Sequence, residues 1–285
     1  MIPVTKRFPL FIICSCLSII FYSCSPNNVT VDDSLKKYFD ENNVSGTFGL
    51  FDNGQGNFTI YNLSRYKDSA YLPASTFKII NSLIGIQTGV LNNEKTVIPW
   101  DGVIRTFPGG DTATSWNKDL TMVEAFKVSA VPYYQEVARR IGKDTMQQWL
   151  DTLGYGSLIS KFVIKDNIDT FWLDNSLKVT PDEQLGLVKK LYFNQLQFQG
   201  RPQDIVKKAM LQENNANYKL SYKTGWGFRE NGNAIGWVVG WVEENQHVFF
   251  FVLNVEGPHD TDMKTVRMNI LNASLKQLGF LEGKK

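Results

Sequence analysis

Cysteine is nearly absent from this 285-residue sequence: its three thiols, Cys14, Cys16 and Cys24, all lie within the first 24 residues. The rest of the chain therefore has neither a disulfide framework nor a cysteine metal site. Histidine is as scarce, with His247 in a strand pattern and His259 beside Gly257-Pro258. Neither lies in a Gly-x-Ser-x-Gly or His-Glu-x-x-His context, which argues against a Ser-His-Asp triad and a His-based zinc site. A phosphate-cradling Gly-x-x-x-x-Gly-Lys-[Ser/Thr] loop is missing too. No charge dominates: 30 Lys+Arg face 28 Asp+Glu, and beyond residues 1–23, which carry Lys6 and Arg7 but no acid, 28 of each sign remain. That neutrality argues against nucleic acid, whose phosphates need a basic stripe. Past the N-terminus no apolar run reaches the ~20 residues of a membrane helix. What is present, 43% hydrophobic and 20% charged, is a globular composition that needs no staples to fold.

The N-terminus reads as an address. Lys6-Arg7 precede an apolar stretch from Phe8 to Tyr22, too short to span a membrane and right for a secretory leader over residues 1–23. Ser23-Cys24 before the polar Ser25-Pro26-Asn27-Asn28 is similar to a bacterial lipobox. The expectation is a periplasmic protein with Cys24 as first mature residue, lipid-anchored there. A plain signal peptide cleaved near Cys24 is the alternative. Membrane contact is expected only through leader or lipid.

Residues 25–33 read as a polar tether, after which Asp32 or Asp33 caps a helix through Leu35 to Phe39. Two β-rich runs, 47–51 and 58–61, flank a Gly-rich turn and predict a hairpin. After Pro73 the spacing of Phe77, Ile80, Leu83 and Ile84 predicts a helix that Gly89 stops. From about 95 to 212 the signals are helical, including the start Thr180-Pro181-Asp182-Glu183 with its capping residues. Strands return at 218–223, 234–242 and 247–255, and a last helix spans about 262–278. There is no internal repeat. The order strands, helices, strands, helix predicts one mixed α/β domain over 24–285. Its sheet is antiparallel, built from both chain ends and flanked by helices, with a helical lobe inserted at about 95–212. The crevice between the two is a natural ligand site.

Without a catalytic histidine, lysine is the leading candidate base. Ser75-Thr76-Phe77-Lys78 puts a hydroxyl at the start of an apolar helix and an amine one turn on, on the same face. The helix dipole favours a developing oxyanion at Ser75. Burial among Phe77, Ile79 and Ile80 disfavours the ammonium of Lys78 and makes a neutral amine available. Ser-x-x-Lys also occurs at 34–37 and 115–118, where it reads as solvated helix or loop. Ser129-Ala130-Val131-Pro132 places Ser129 on a turn, because Pro132 pushes Val131 out of helical geometry. Lys223-Thr224-Gly225 ends a strand and makes an anion-recognising edge, with Gly225 letting a ligand approach the backbone. Singly, each has an ordinary structural reading: a helix start, an N-cap serine, a strand-end turn.

Together, in this order, the three motifs resemble the signature of the penicillin-recognising serine acyl-transferases. Over about residues 40 to 280 the chain is similar to the class D, oxacillinase-type β-lactamases. Trp100-Asp101-Gly102, Asp119-Leu120-Thr121, Phe171-Trp172-Leu173, Lys223-Thr224-Gly225-Trp226-Gly227, the segment 236–242 and Arg267 carry the likeness. One departure is Tyr155-Gly156-Ser157, where the family commonly has Tyr-Gly-Asn. The resemblance implies a β-lactamase/transpeptidase-like fold and hydrolysis of β-lactams through an acyl-enzyme on Ser75, conferring antibiotic resistance. It implies no cofactor beyond a CO2-derived carbamate on Lys78 as base, supported by Val131 and Trp172; an Asn at Val131 would help retain the ammonium. Ser129 would relay a proton to the leaving nitrogen, and backbone N–H groups of Ser75 and Trp226 would form the oxyanion hole. Lys223, Thr224, Gly225 and Arg267 would bind the substrate carboxylate. A penicillin sensor or a penicillin-binding protein that stays acylated is the alternative, and a silent cell-wall-binding module is a third. The chain would act as a monomer or homodimer.

Overall fold

The computed structural model describes Met1 and residues 28–107, 110–157 and 161–285. Residues 2–27, which hold nearly all of the expected leader and Cys24, lie outside the described residues. In chain order the elements are β1 (Val29–Val31), α1 (Lys36–Asp40), β2 (Ser45–Asp52), β3 (Asn57–Tyr61), α2 (Leu63–Asp68), α3 (Lys78–Gln87), β4 (Val97–Ile98) and β5 (Leu120–Thr121). There follow α4 (Met122–Lys127), α5 (Val131–Ile141), α6 (Lys143–Leu153), α7 (Pro181–Tyr192), α8 (Gly200–Met210) and β6 (Leu211–Asn214). The chain closes with β7 (Lys219–Phe228), β8 (Ala234–Glu244), β9 (His247–Gly257) and α9 (Met263–Gln277).

Seven strands form one sheet in the order β1-β3-β2-β9-β8-β7-β6, so both chain ends build it and β2 meets β9 at its centre. Every pairing is antiparallel except β1 with β3. β8 shows why the sheet sits in the middle of the molecule. Ile235, Trp237, Val239 and Trp241 face one core, while Ala234, Val238 and Val242 face another, the period of two that a strand covered on both faces must show. The first core takes residues of α3, α5, α7 and α8, and the second takes Ile270, Leu271 and Leu275 of α9. The β8–β9 turn uses Asn245 and Gln246, both with positive φ, the backbone that a two-residue hairpin needs.

The structure changes three sequence-based expectations. The tether reading of 25–33 fails in part, because Val29–Val31 pairs in parallel with Phe58–Ile60; three residues carry too little pattern to announce a strand. Asp32 does cap the turn that leads into α1. Lys223-Thr224-Gly225 does not end a strand: β7 runs on to Phe228, in register with β8 throughout. Glycines 225 and 227 masked that continuation. The third change is at the serine, where the α-helix starts only at Lys78 and Ala74–Phe77 is a 3-10 turn. The capping box at Thr180 and Glu183 is present, with Pro181 at the first helical position.

Candidate active site

Four backbone and side-chain bonds seat the serine turn before any catalytic group is considered. Tyr71 exchanges both its backbone bonds with Val179, at 2.9 Å each. Leu72 O accepts from Trp237 Nε1 of β8 at 2.9 Å, and Ala74 N donates to Trp172 O at 3.0 Å. Ala74 is held at φ 49°, a left-handed conformation that costs a non-glycine residue about 1 kcal/mol or more and survives only where its surroundings dictate it. Beneath the turn, Thr76 Oγ1 donates to Pro73 O at 2.7 Å and accepts from Gln184 Nε2 at 2.6 Å. Ser75 is thus a rigidly presented hydroxyl at the mouth of α3.

Lys78 Nζ lies 2.7 Å from Ser75 Oγ, and its side chain is fully buried. That burial lowers its pKa to about 7, so near neutral pH a large fraction is free amine able to take a proton. The Tyr134 ring, from α5, lies 5.5 Å from Nζ. Its own hydroxyl pairs with Ser82 at 2.8 Å.

Ser129 sits in the turn between α4 and α5 at φ 59°, a second non-glycine residue in left-handed backbone. The turn aims its Oγ at β7, where Lys223 Nζ donates to it at 2.9 Å and to Thr224 O at the same distance. Burial pushes the Lys223 ammonium well below the ordinary lysine value, and the charges of Lys78 and Arg267 add to that. Arg267 reaches from α9 to donate Nη1 to Gly225 O at 2.6 Å. Burial brings it down to about 10. Gly225 is needed for close approach: a Cβ there would stand 3.0 Å from Pro73 O and 3.2 Å from Thr76 Cγ2. Gly225→Ala is therefore expected to wedge β7 away from the serine turn, costing about 1–3 kcal/mol of stability and roughly tenfold or more in kcat/KM. Melting curves and steady-state kinetics check this, and wild-type values for both would refute the wedge.

The structure thus brings Ser75, Lys78, Ser129, Lys223, Thr224, Gly225 and Arg267 to one place from five elements. Val131 opens α5 half-buried as its first helical residue, a fourth departure from expectation: Pro132 does not push it out of the helix, because a proline in the first turn has no helical hydrogen bond to lose. Trp172 is fully buried, stacked on Phe77 at 5.2 Å, and its Nε1 has no partner. Trp226 is half-buried on β7, with its Nε1 likewise unpartnered. Neither histidine belongs to the cluster: His247 is exposed at the start of β9, and His259 stacks on Phe228 at 4.6 Å. Among the described residues no cluster of His, Cys, Asp and Glu could hold a metal. A separate cavity of about 450 Å³, lined in part by Gly156, Lys161, Lys165 and Lys178, contains none of these residues.

Sequence reasoning passed over Tyr134 and Gln184. Tyr134 could have been found three residues after Val131, on the same helix face. Gln184 carries no local signal, because its contact with Thr76 spans 108 residues.

A serine held against a buried lysine, with a second Ser–Lys pair and a buried arginine nearby, is an arrangement in which an amine can serve as base to a serine nucleophile. The chain matches the family model for the penicillin binding protein transpeptidase domain over residues 35–276. It is 42% identical to the β-lactamase OXA-48 of Klebsiella pneumoniae over 245 residues, 86% of this chain and 87% of that protein. Among solved structures it resembles FUS-1 (OXA-85), a class D β-lactamase from Fusobacterium nucleatum subsp. polymorphum, with a TM-score of 0.80 and 32% identity over 89% of this chain and all of that one. The C-terminal domain of the Bacillus licheniformis BlaR penicillin-receptor has the same TM-score at 29% identity, covering 89% of this chain and 98% of the domain. The chain belongs to the penicillin binding protein transpeptidase family and, within it, to the class D serine β-lactamases.

Proposed function

We propose that this protein opens the amide of penicillin-type β-lactams through an acyl-enzyme on Ser75 and then releases the product by hydrolysis. The observation that carries the reading is Lys78, fully buried, without a carboxylate partner among the described residues, and 2.7 Å from Ser75 Oγ. The free amine gives Ser75 a proton acceptor in place of histidine. Backbone N–H groups of Ser75 and Trp226 stabilise the oxyanion, worth roughly 3–4 kcal/mol per donor. Ser129, charged through Lys223, passes a proton to the departing nitrogen. Lys223, Thr224 and Arg267 hold the substrate carboxylate, Gly225 giving it room beside the strand.

The residues around Lys78 also fit a CO2-derived carbamate. The buried Trp172 N–H lacks an acceptor, a vacancy that costs about 1–3 kcal/mol. Its ring lies against Phe77, the neighbour of Lys78 in the chain. When formed, the carbamate supplies a carboxylate-like base in both half-reactions. Val131 keeps the start of α5 apolar. No other cofactor is proposed.

The cell-level role is resistance to β-lactams from the periplasm, with the protein anchored through a lipid on Cys24 and acting as monomer or homodimer. The likeness to the BlaR domain favours a second reading, a receptor that acylates and stays acylated. An intact-mass time course with excess benzylpenicillin in bicarbonate buffer separates the two. A transient adduct on Ser75, disappearing as hydrolysed penicillin accumulates, is expected. A permanent one-to-one adduct would assign a receptor, and no adduct would end the acyl-serine reading.

A further inference from the structure

We propose that Lys223 takes up the proton that carbamate formation at Lys78 expels, so that the loaded cleft holds a carbamate and an ammonium where the empty one holds two amines. The inference rests on the carbamate reading of Lys78 above. It starts from a cleft with three basic side chains and, among the described residues, no carboxylate paired with them. Lys78 Nζ bonds Ser75 Oγ, Lys223 Nζ bonds Ser129 Oγ and Thr224 O, and Arg267 Nη1 bonds Gly225 O. Among the described residues no Asp or Glu comes within ion-pair distance of any of the three; Asp262, at the start of α9, acts on Arg267 from further away.

The two bonds of Lys223 Nζ can both be made by a neutral amine, and an ammonium formed there has a third N–H for a ligand. Among the described residues, the groups that face it are neutral or basic: Lys78 from α3, the Phe126 ring at 5.7 Å from α4, Ser129 from the following turn, Val239 across β8 and Arg267 from α9. Burial holds it well below the ordinary lysine value, and Arg267, with Lys78 when protonated, adds to that.

Loading changes that balance. A bond forms between Lys78 Nζ and the carbon of CO2 as one C=O π pair moves onto oxygen. The nitrogen then loses a proton, and the lone pair of Lys223 Nζ receives it. Net charge in the cleft is unchanged, while release to solvent would leave an uncompensated buried anion, which is costly. The third N–H of the new ammonium is available to the substrate carboxylate. CO2 therefore prepares the base and charges the anion site in one step.

The test is proton linkage, read on the full chain by 13C NMR of the carbamate resonance during titration with 13C-bicarbonate. Affinity is expressed against dissolved CO2 at about pH 7.5 and about pH 8.5. With internal uptake no net proton leaves the protein, and wild-type affinity is expected to change less than roughly twofold across that interval. Lys223→Met and Lys223→Arg cannot accept the proton, so their affinity should rise about tenfold per pH unit. The same tenfold slope in wild type and variants overturns the proposal. Absence of any carbamate resonance in wild type overturns both it and the reading beneath it. Should neither variant fold, the Lys223 side-chain 15N resonance of the wild type decides: a move to the ammonium position on adding bicarbonate is expected, and no move refutes the proposal.

Discussion

Lys78→Met is expected to abolish turnover and, in the same protein, to raise the melting temperature. The loss follows from removing the amine that bonds Ser75 Oγ and is the proposed base, a contribution of about 10²–10⁴ in rate before deacylation is counted. The stability gain follows from the burial that makes the residue useful. Folding lowers the Lys78 pKa from 10.5 to about 7, so between those values the unfolded chain holds a proton that the folded one has lost. Stability contributed by this site therefore rises with pH through the window, and the penalty is fully present below about pH 7. A methionine of similar shape removes it, a gain on the order of a few kcal/mol and roughly 10 °C for a domain of this size. The comparison belongs in CO2-free buffer at neutral pH, and the difference should shrink toward pH 10. Bicarbonate should raise the melting temperature of the wild type alone, because it binds only the folded state. A less stable Lys78→Met protein at neutral pH would show that Lys78 is not held as an unpaired buried amine.

Trp172→Phe should leave the fold intact and make activity depend on added bicarbonate. The indole stacked on Phe77 at 5.2 Å becomes a single six-membered ring, so the N–H and the rest of the pyrrole ring are lost together. The missing pyrrole ring leaves a cavity among buried neighbours, which removal of an unpartnered donor offsets only in part, so the melting temperature in CO2-free buffer should fall modestly. A group that orients a ligating partner is typically worth 10–100-fold. The bicarbonate concentration for half-maximal activity should therefore increase by about that factor, with kcat partly restored at saturation. Unchanged bicarbonate dependence would remove Trp172 from the carbamate's support.

How much was legible in the sequence divides by range. The capping box at Thr180 and the period of two in β8 are local patterns with local causes, and both are in the structure. So is the association of Ser75 with Lys78, because three residues at a helix start leave two side chains little freedom but to meet. β1 was not legible, since its pairing with β3 depends on a strand nearly 30 residues away. Nor was the true length of β7, where glycines that signal a turn locally serve instead to bring the strand against the serine turn.

The sequence by itself determined which chemistry was possible. Without a motif histidine or a cysteine past residue 24, with neutral charge and three Ser- and Lys-bearing motifs in order, it left acyl transfer through serine and lysine. Only the tertiary structure decided the electrical state of those groups. Lys78 and Lys223 are 145 residues apart in the chain, yet the charge of Lys78 reaches Lys223, with no carboxylate paired to either among the described residues. Their lowered pKa values arise first from desolvation by the elements packed around them. Desolvation belongs to the enclosure, and no residue's neighbours in sequence can report it.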